Sequence, residues 1–92
     1  MGLAARIHAH GEPGEVLRVE DVAVPAPGPG QVRVRMRRAP INPADLNVIA
    51  GTYGRLPRLP ATVGNEGVGE VIGGDGLPVG TLVRPRDGLG TW

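Results

Sequence analysis

The sequence lacks cysteine, phenylalanine and lysine, and its aromatic side chains are limited to one tyrosine and one tryptophan. Without cysteine, disulfide bonds and thiolate metal sites are excluded, which agrees with a cytoplasmic location. Without phenylalanine, a core must be built from valine, leucine, isoleucine, alanine and methionine. The formal net charge of +1 is too small to attract nucleic acid over the whole surface.

Long apolar runs are also absent. No segment is long enough to cross a membrane, and the N-terminal segment lacks the hydrophobic region of a signal peptide. The 92 residues suffice for one domain with a modest core. We therefore predict a cytoplasmic protein that binds neither membranes nor nucleic acid.

Glycine and proline are abundant, with 16 and 10 residues, but they lie between segments in which apolar and polar residues alternate. Because a period of two is typical of half-buried strands, we predict a turn-rich β domain rather than a disordered chain. The predicted strands are 3–10, 16–24, 31–37, 67–72 and 81–84. Turns are predicted at 11–14, 25–30 and 73–76.

His8 and His10 share one face of the first predicted strand, opposite an apolar face that contains Leu3, Ala5 and Ile7. Two histidines on one face could begin a metal site. No third ligand is close in sequence, however, so we interpret both as solvated surface imidazoles.

The second and third predicted strands differ in regularity. In 16–24 the apolar positions change parity at 20–21, which predicts a bulge there. In 31–37 apolar residues face inward and three arginines face outward, Arg33, Arg35 and Arg37. An arginine row could bind phosphates, but no aromatic residue interleaves it, so we favour a solvated strand face.

The segment 41–51 carries the clearest helix signal. Asn42 is a good N-cap and Pro43 suits the first turn. Asp45 lies three residues after Asn42, as in a shortened acidic capping box, and Gly51 is the natural end. We predict one short helix of about two turns, which must pack on the strands because it is too short to be stable alone.

The remaining segments supply no phosphate-binding loop. The glycine-rich run from Gly67 does not match a dinucleotide fingerprint, because Ile72 occupies the sixth position, where glycine is required, and no helix follows. We interpret this run as a strand and hairpin. The segment 52–63 is predicted to be an extended loop that carries Tyr53, and 86–92 is predicted to be a loop.

Several short motifs resemble the GroES-like domain of the medium-chain dehydrogenase/reductase superfamily. They are Ile41–Asn47, Gly51–Gly54, Leu59–Ala61, Gly64–Gly67 and the terminal Gly88–Trp92. Within the superfamily the chain is most similar to the zinc-independent branch, in particular to the mitochondrial-type trans-2-enoyl thioester reductases. The resemblance covers nearly the whole chain. It implies an all-β fold, an incomplete, partly open GroES-like β-barrel with one short helix.

The resemblance also implies that no zinc is bound. Compared with zinc alcohol dehydrogenases, Asn42 stands at the first cysteine ligand, Ala44 at a proton-relay hydroxyl residue and Asn65 at the histidine ligand. Amide side chains do not replace thiolate and imidazole at a tetrahedral zinc site. The substrate must therefore be activated by hydrogen bonds or by a proton donor.

The same resemblance implies roles for four polar residues. Tyr53 corresponds to the proposed proton donor to the α-carbon of a 2-enoyl thioester, whose β-carbon receives hydride from NADPH; a lone loop tyrosine could otherwise be a packing or surface residue. Asn42 is implied to face the nicotinamide besides capping its helix. Asn65 and Glu66 are implied to line the substrate pocket, although a polar turn before a strand explains them equally well. Asp45 is interpreted as structural.

The resemblance finally implies that a cofactor domain is missing from this sequence. The family holds its nucleotide mainly on a Rossmann domain, so we interpret 1–92 as the N-terminal part of the substrate-side domain. Little NADPH binding and almost no catalysis are then expected from the chain alone. The implied substrate is a 2-enoyl thioester of fatty-acid metabolism, with a quinone or enone as the near alternative. The other hypothesis is a non-catalytic β-barrel module that forms homo-oligomers through exposed apolar surface.

Overall fold

Six short strands form two antiparallel three-stranded sheets in the computed structural model, which describes residues 2–86 and 90–92. The first sheet has the order β2-β1-β4, with β1 at Gly2–Ile7, β2 at Arg18–Val22 and β4 at Ala61–Thr62. The second has the order β3-β5-β6, with β3 at Val32–Arg38, β5 at Val68–Gly74 and β6 at Leu82–Val83. The sheets stay open and do not close into a barrel among these residues, which agrees with the predicted partly open, all-β GroES-like class.

Two helices accompany the sheets, where one was predicted. Helix α2, Pro43–Ala50, is the predicted helix. Helix α1 is a single turn, Pro13–Val16, in a segment predicted to be a turn followed by a strand. Proline at its first position has a backbone already suited to a helix start, and the Leu17 N–H donates to the Pro13 carbonyl at 3.0 Å.

Strand β1 departs from its predicted pattern, because different elements cover its two faces. Leu3 is 76% exposed, while Ala4 and Ile7 on opposite faces are buried. Ile7 packs into the core beside helix α2, and Ala4 lines a groove between the two sheets. The strand ends at Ile7, so His8 and His10 do not share a strand face.

The two histidines are bound to different neighbours. His8 Nε2 lies 2.8 Å from Glu20 Oε1, and His10 Nδ1 lies 3.0 Å from the Val48 carbonyl oxygen. His8 is exposed, as the interpretation of a solvated surface imidazole requires, whereas His10 is only half-exposed and contacts helix α2. In the described part of the chain, no cluster of three histidine, aspartate or glutamate residues could hold a metal ion.

The predicted bulge in the second strand is absent, because β1 and β2 pair in unbroken register from Gly2↔Val22 to Arg6↔Arg18. The irregularities lie instead in the β3–β5 pair, between Arg33 and Val34 and between Met36 and Arg38.

The predicted arginine row of β3 is only partly solvated. Arg33 Nη2 donates to the Val24 carbonyl at 2.9 Å and to the Pro25 carbonyl at 3.1 Å, and Arg37 pairs with Glu70. Two of the three arginines thus hold neighbouring segments in place.

Helix α2 has the predicted ends. Asn42 is extended, with φ −101° and ψ 155°, and Pro43 begins the helix. Gly51 ends it with φ +85°, a left-handed conformation that glycine adopts without strain. The buried positions of the helix are Asp45, Val48 and Ile49. This helix is too short to stand alone, and its buried side joins it to the first sheet.

The core lies between helix α2 and the first sheet, where Ile7, Ile49 and Val63 are buried together. Trp92 packs against this cluster, and its backbone N–H donates to the Val63 carbonyl at 2.9 Å. The predicted loop 86–92 is therefore tied to the sheet at its end, whereas positions 87–89 lie outside the described residues. Neither helix in the described part of the chain is long and apolar enough to cross a bilayer.

Candidate active site

A cavity of about 420 Å³ lies where the end of helix α2, the loop after it and the segment after β4 meet. This volume is within the range of small-molecule binding sites. Its lining residues are Val48, Tyr53, Arg55, Leu56, Pro57, Thr62, Val63, Gly64 and Asn65. Two of the four predicted site residues, Tyr53 and Asn65, therefore line one cavity, the first from the loop after helix α2 and the second from the segment after β4.

Tyr53 reaches the cavity because the end of helix α2 sets the start of its loop. The N–H groups of Gly51 and Thr52 both donate to the Asn47 carbonyl, at 3.0 and 2.9 Å. Tyr53 is 43% exposed and lines the cavity, so a ligand that enters the cavity can contact this residue. A phenol is a proton donor at neutral pH, and this position suits it for general acid chemistry.

Asn65 is held in the cavity lining by its backbone. Its N–H donates to Asp45 Oδ1 at 2.9 Å, and the next residue, Glu66, accepts a hydrogen bond on its carbonyl from Thr91 Oγ1 at 2.7 Å. These two bonds leave the Asn65 side-chain amide free to take part in the lining. An amide can both donate to and accept from a bound polar group.

Asn42 and Glu66 lie beside this cavity rather than in its lining. Asn42 Nδ2 lies 3.4 Å from Glu66 Oε2, so the two predicted site residues contact each other. The Asn42 backbone N–H donates to Asp45 Oδ2 at 2.8 Å, which is the predicted acidic capping interaction. The two side chains thus contact each other but do not line the cavity, and their predicted roles stay predictions.

Sequence reasoning missed Val48, Arg55, Leu56 and Thr62, which also line the cavity. Arg55 has a local signal, since it follows Tyr53 by two residues in the same loop and is a cation beside a predicted acid. Thr62 and Val48 have no such signal, because they reach the cavity only when β4 and helix α2 pack together.

The N-terminus of helix α2 does not fit a nucleotide phosphate. A helix start binds phosphate through its free N–H groups and the positive end of its dipole. Here the Asp45 carboxylate already accepts the Asn42 N–H and supplies negative charge to that end. The N-terminus of helix α2 is therefore occupied by a side chain of the protein itself.

A second, larger space of about 610 Å³ lies between the two sheets. It is lined mainly by apolar side chains such as Ala4, Val34 and Trp92. Arg33, Arg35 and Thr91 also line it, but none of the predicted site residues does.

Comparison with known proteins supports the resemblance to reductases. The model of the alcohol dehydrogenase GroES-like domain family matches residues 28–87. The mitochondrial enoyl-[acyl-carrier-protein] reductase of Xenopus tropicalis is 49% identical over 98 aligned positions, covering 98% of this chain and 28% of that protein.

Solved structures agree with this relationship. Etr1p, in complex with NADP and crotonyl-CoA, superimposes with a TM-score of 0.85 at 33% identity, over 98% of this chain and 29% of that one. The Candida tropicalis heterodimer of Etr1p and Etr2p, a mitochondrial 2-enoyl thioester reductase, gives 0.87 at 33% identity over 100% and 30%. A Bacillus thuringiensis protein assigned as an NADPH:quinone reductase gives 0.85 at 38% identity over 98% and 28%.

The chain spans less than a third of the length of each of these proteins. The family model, by contrast, covers more than half of the chain. The chain therefore belongs to the family of alcohol dehydrogenase GroES-like domains, as its motifs predicted.

Proposed function

We propose that this chain supplies the substrate side of an NADPH-dependent, zinc-free reductase of 2-enoyl thioesters. The observation that carries the proposal is that Tyr53 and Asn65 line one accessible cavity of about 420 Å³. Relatives named as enoyl-[acyl-carrier-protein] reductases and as a 2-enoyl thioester reductase support the substrate class. The complex of Etr1p with NADP and crotonyl-CoA supports the cofactor.

In this proposal Tyr53 is the proton donor of the reduction. NADPH, when bound, supplies a hydride that forms the new C–H bond at the β-carbon. The carbon–carbon double bond becomes single, the Tyr53 O–H bond breaks, and its proton joins the α-carbon. Solvent then returns a proton to the Tyr53 oxygen through the open side of the cavity. Asn65 contacts the substrate from the cavity lining. Glu66 and Asn42 contact each other outside that lining, and in this proposal they face the parts of the substrate and of the nicotinamide that extend beyond the cavity.

The side chains at the site favour a reduction without zinc. The sequence has no cysteine, and Asn42 and Asn65 offer amides where zinc relatives of this family use a thiolate and an imidazole. Polarisation of the thioester carbonyl must then come from hydrogen-bond donors. Addition of zinc or of a chelator is expected to leave the reductase activity unchanged.

We further propose that residues 1–92 act together with a Rossmann domain that holds the NADPH phosphates. This proposal is supported by the length of the relatives, of which the chain covers less than a third. The chain alone is expected to bind NADPH weakly, because helix α2 offers its N-terminus to Asp45 and not to a phosphate.

The experiment places this chain in the Xenopus tropicalis enoyl-[acyl-carrier-protein] reductase in exchange for the segment it matches. NADPH oxidation is followed at increasing concentrations of crotonyl-CoA, with the unaltered Xenopus enzyme as the positive control. Reduction of crotonyl-CoA to butyryl-CoA supports the proposal. A folded chimera that binds NADPH but does not oxidise it with crotonyl-CoA would overturn it.

A quinone reductase is the second candidate, favoured by the 38% identity to the Bacillus thuringiensis protein. The same chimera is assayed with 1,4-benzoquinone. A quinone is protonated on its oxygens, so its reduction needs no proton donor to a carbon atom. Tyr53→Phe should therefore lower the rate of quinone reduction less than the rate of crotonyl-CoA reduction. A higher kcat/KM for the quinone that survives Tyr53→Phe would favour this candidate.

A self-associating, non-catalytic module is the third candidate. The exposed apolar side chains Leu3, Val19, Val79 and Leu82 favour it, each being 70% exposed or more. Light scattering on the 92-residue chain tests it directly. A monomer at concentrations of tens of micromolar would contradict self-association. The predicted cytoplasmic location stays a prediction, whereas the Xenopus tropicalis and Candida tropicalis relatives are named as mitochondrial. Imaging of a tagged chain would distinguish the two compartments.

A further inference from the structure

Asp45 is the most deeply buried charged side chain in the described part of the chain, at 1% exposure. Burial of a carboxylate is costly unless hydrogen bonds replace its water. Here each oxygen accepts one backbone N–H: Oδ2 from Asn42 at 2.8 Å and Oδ1 from Asn65 at 2.9 Å. The two oxygens of the carboxylate are therefore hydrogen-bonded to two segments that are not neighbours in sequence.

Helix capping accounts for only one of these two bonds. The bond from Asn42 closes the first turn of helix α2, as a capping residue does. The bond from Asn65 leaves the helix and reaches the segment after β4, which forms one wall of the cavity. A cap alone would not need a carboxylate oriented toward the second segment.

Helix α2 also leads to the loop that carries Tyr53. The helix begins at Asp45's end, beside Asn65, and ends at Gly51, two residues before Tyr53. The Thr52 N–H donates to the Asn47 carbonyl at 2.9 Å, so the Tyr53 loop starts from a fixed point on the helix. Asn65 and the loop of Tyr53 are thus both hydrogen-bonded to the same helix.

We propose that Asp45 is a positioning residue of this site, whose carboxylate sets the Asn65 wall of the cavity relative to the helix that carries Tyr53. The inference rests on the proposed reduction of 2-enoyl thioesters and extends it to a residue that does not touch the substrate. Thr91, which donates to the Glu66 carbonyl at 2.7 Å, holds the same segment from the other side.

The variant that tests the inference is Asp45→Asn in the chimeric reductase. An amide offers one acceptor oxygen and an NH₂ group, so one of the two backbone N–H groups faces another donor. The Asn65 wall should shift, and misplacement of about 1 Å can cost about 100-fold in rate. We expect kcat/KM for crotonyl-CoA to fall by about 10- to 100-fold.

The matched control is Val71→Ala, which removes buried side-chain volume from β5 without touching either wall of the cavity. Both variants are assayed well below their melting temperatures, so that each is fully folded. Equal kcat/KM in the two variants would overturn the inference, because loss of stability alone would then explain Asp45. If Asp45→Asn does not fold, Asp45→Glu moves the acceptor oxygens outward by one methylene; wild-type kinetics in that variant would also overturn it.

Failure of the proposed function is distinguished by amide hydrogen exchange on the ¹⁵N-labelled 92-residue chain. If the wild-type chimera does not reduce crotonyl-CoA, the reductase proposal fails. Amide exchange still tests whether Asp45 positions the segment that contains Asn65. In Asp45→Asn the Asn65 amide should exchange at least about tenfold faster relative to the Val71 amide, since a charge-assisted bond is lost. An unchanged ratio would overturn the positioning role.

Discussion

Gly64 lies directly against the indole of Trp92, so that a Cβ atom on Gly64 would overlap ring atoms Cδ1 and Cγ and the Thr91 hydroxyl. Its φ is +103°, a conformation that side chains rarely adopt. The Trp92 backbone N–H also donates to the Val63 carbonyl. This contact places the last described residues of the chain behind the wall of the cavity.

Gly64→Ala is therefore expected to destabilise the fold by about 3 kcal/mol, from backbone strain and overpacking together. Urea unfolding followed by Trp92 fluorescence measures the change. Gly14→Ala is the matched control, because nothing lies within 4 Å of a Cβ at that position. Since Gly14 lies in helix α1, its replacement should be neutral or stabilising by up to about 1 kcal/mol. Equal stabilities of the two variants would contradict the Gly64 contact.

Two residues of β1 should respond differently to truncation, although both were predicted to lie on one apolar face. Ile7→Ala should cost about 2–5 kcal/mol, because Ile7 is fully buried in the core. Leu3→Ala should change stability by no more than about 0.5 kcal/mol, since Leu3 is largely exposed. Urea midpoints of the two variants provide the comparison, and a similar loss from both would show that Leu3 is covered.

Tyr53→Phe should lower kcat for crotonyl-CoA in the chimeric reductase by about 10²- to 10⁴-fold, because it removes only the proton donor. Stability should change little, since the ring is retained and Tyr53 is 43% exposed. Thr52→Val removes a neighbouring exposed hydroxyl that does not line the cavity, and should keep the wild-type kcat. Full activity of Tyr53→Phe would exclude Tyr53 as the donor.

The hydrogen bond between His8, the residue after β1, and Glu20 of β2 should make stability depend on pH. The hydrogen bond from His8 lowers the pKa of Glu20 below its ordinary value, with smaller help from nearby positive charges. A lowered pKa in the folded state means that this contribution is complete above the ordinary carboxyl pKa. It is lost as the pH falls through the lowered value.

Unfolding free energies of wild type and Glu20→Gln, measured from about pH 7 to about pH 3, should differ most at the upper end and converge at the lower end. Glu15→Gln is the control, because the described residues give the exposed Glu15 side chain no hydrogen bond; its profile should parallel that of wild type. A constant difference between wild type and Glu20→Gln over the whole pH range would show that the pKa of Glu20 is the same in the folded and unfolded states.

The helix of the site was predictable because its signals are local. Asn42, Pro43, Asp45 and Gly51 each act within one turn of a helix end, and the structure places both ends where these residues indicate. The family resemblance was predictable for a related reason, since its motifs are short and contiguous. The role of Tyr53 came from that resemblance, and the structure adds that the residue lines an accessible cavity.

The pattern of burial was less predictable. Alternation in β1 indicated a strand correctly, but not that helix α2 covers one end of it and the second sheet faces the other. The bulge expected in β2 rested on the same assumption of one covered face. Where two different elements cover one strand, a period of two no longer identifies the buried side chains.

The amino-acid sequence by itself determined the class of fold, the helix ends and the set of side chains available for chemistry, because turn residues, caps and missing cysteines act locally or by composition. Only the tertiary structure decided which of those side chains meet. Asp45 could be recognised from sequence as a helix cap, but its second bond joins Asn65 across 20 residues. Such contacts depend on how distant segments pack, and no local propensity encodes that distance.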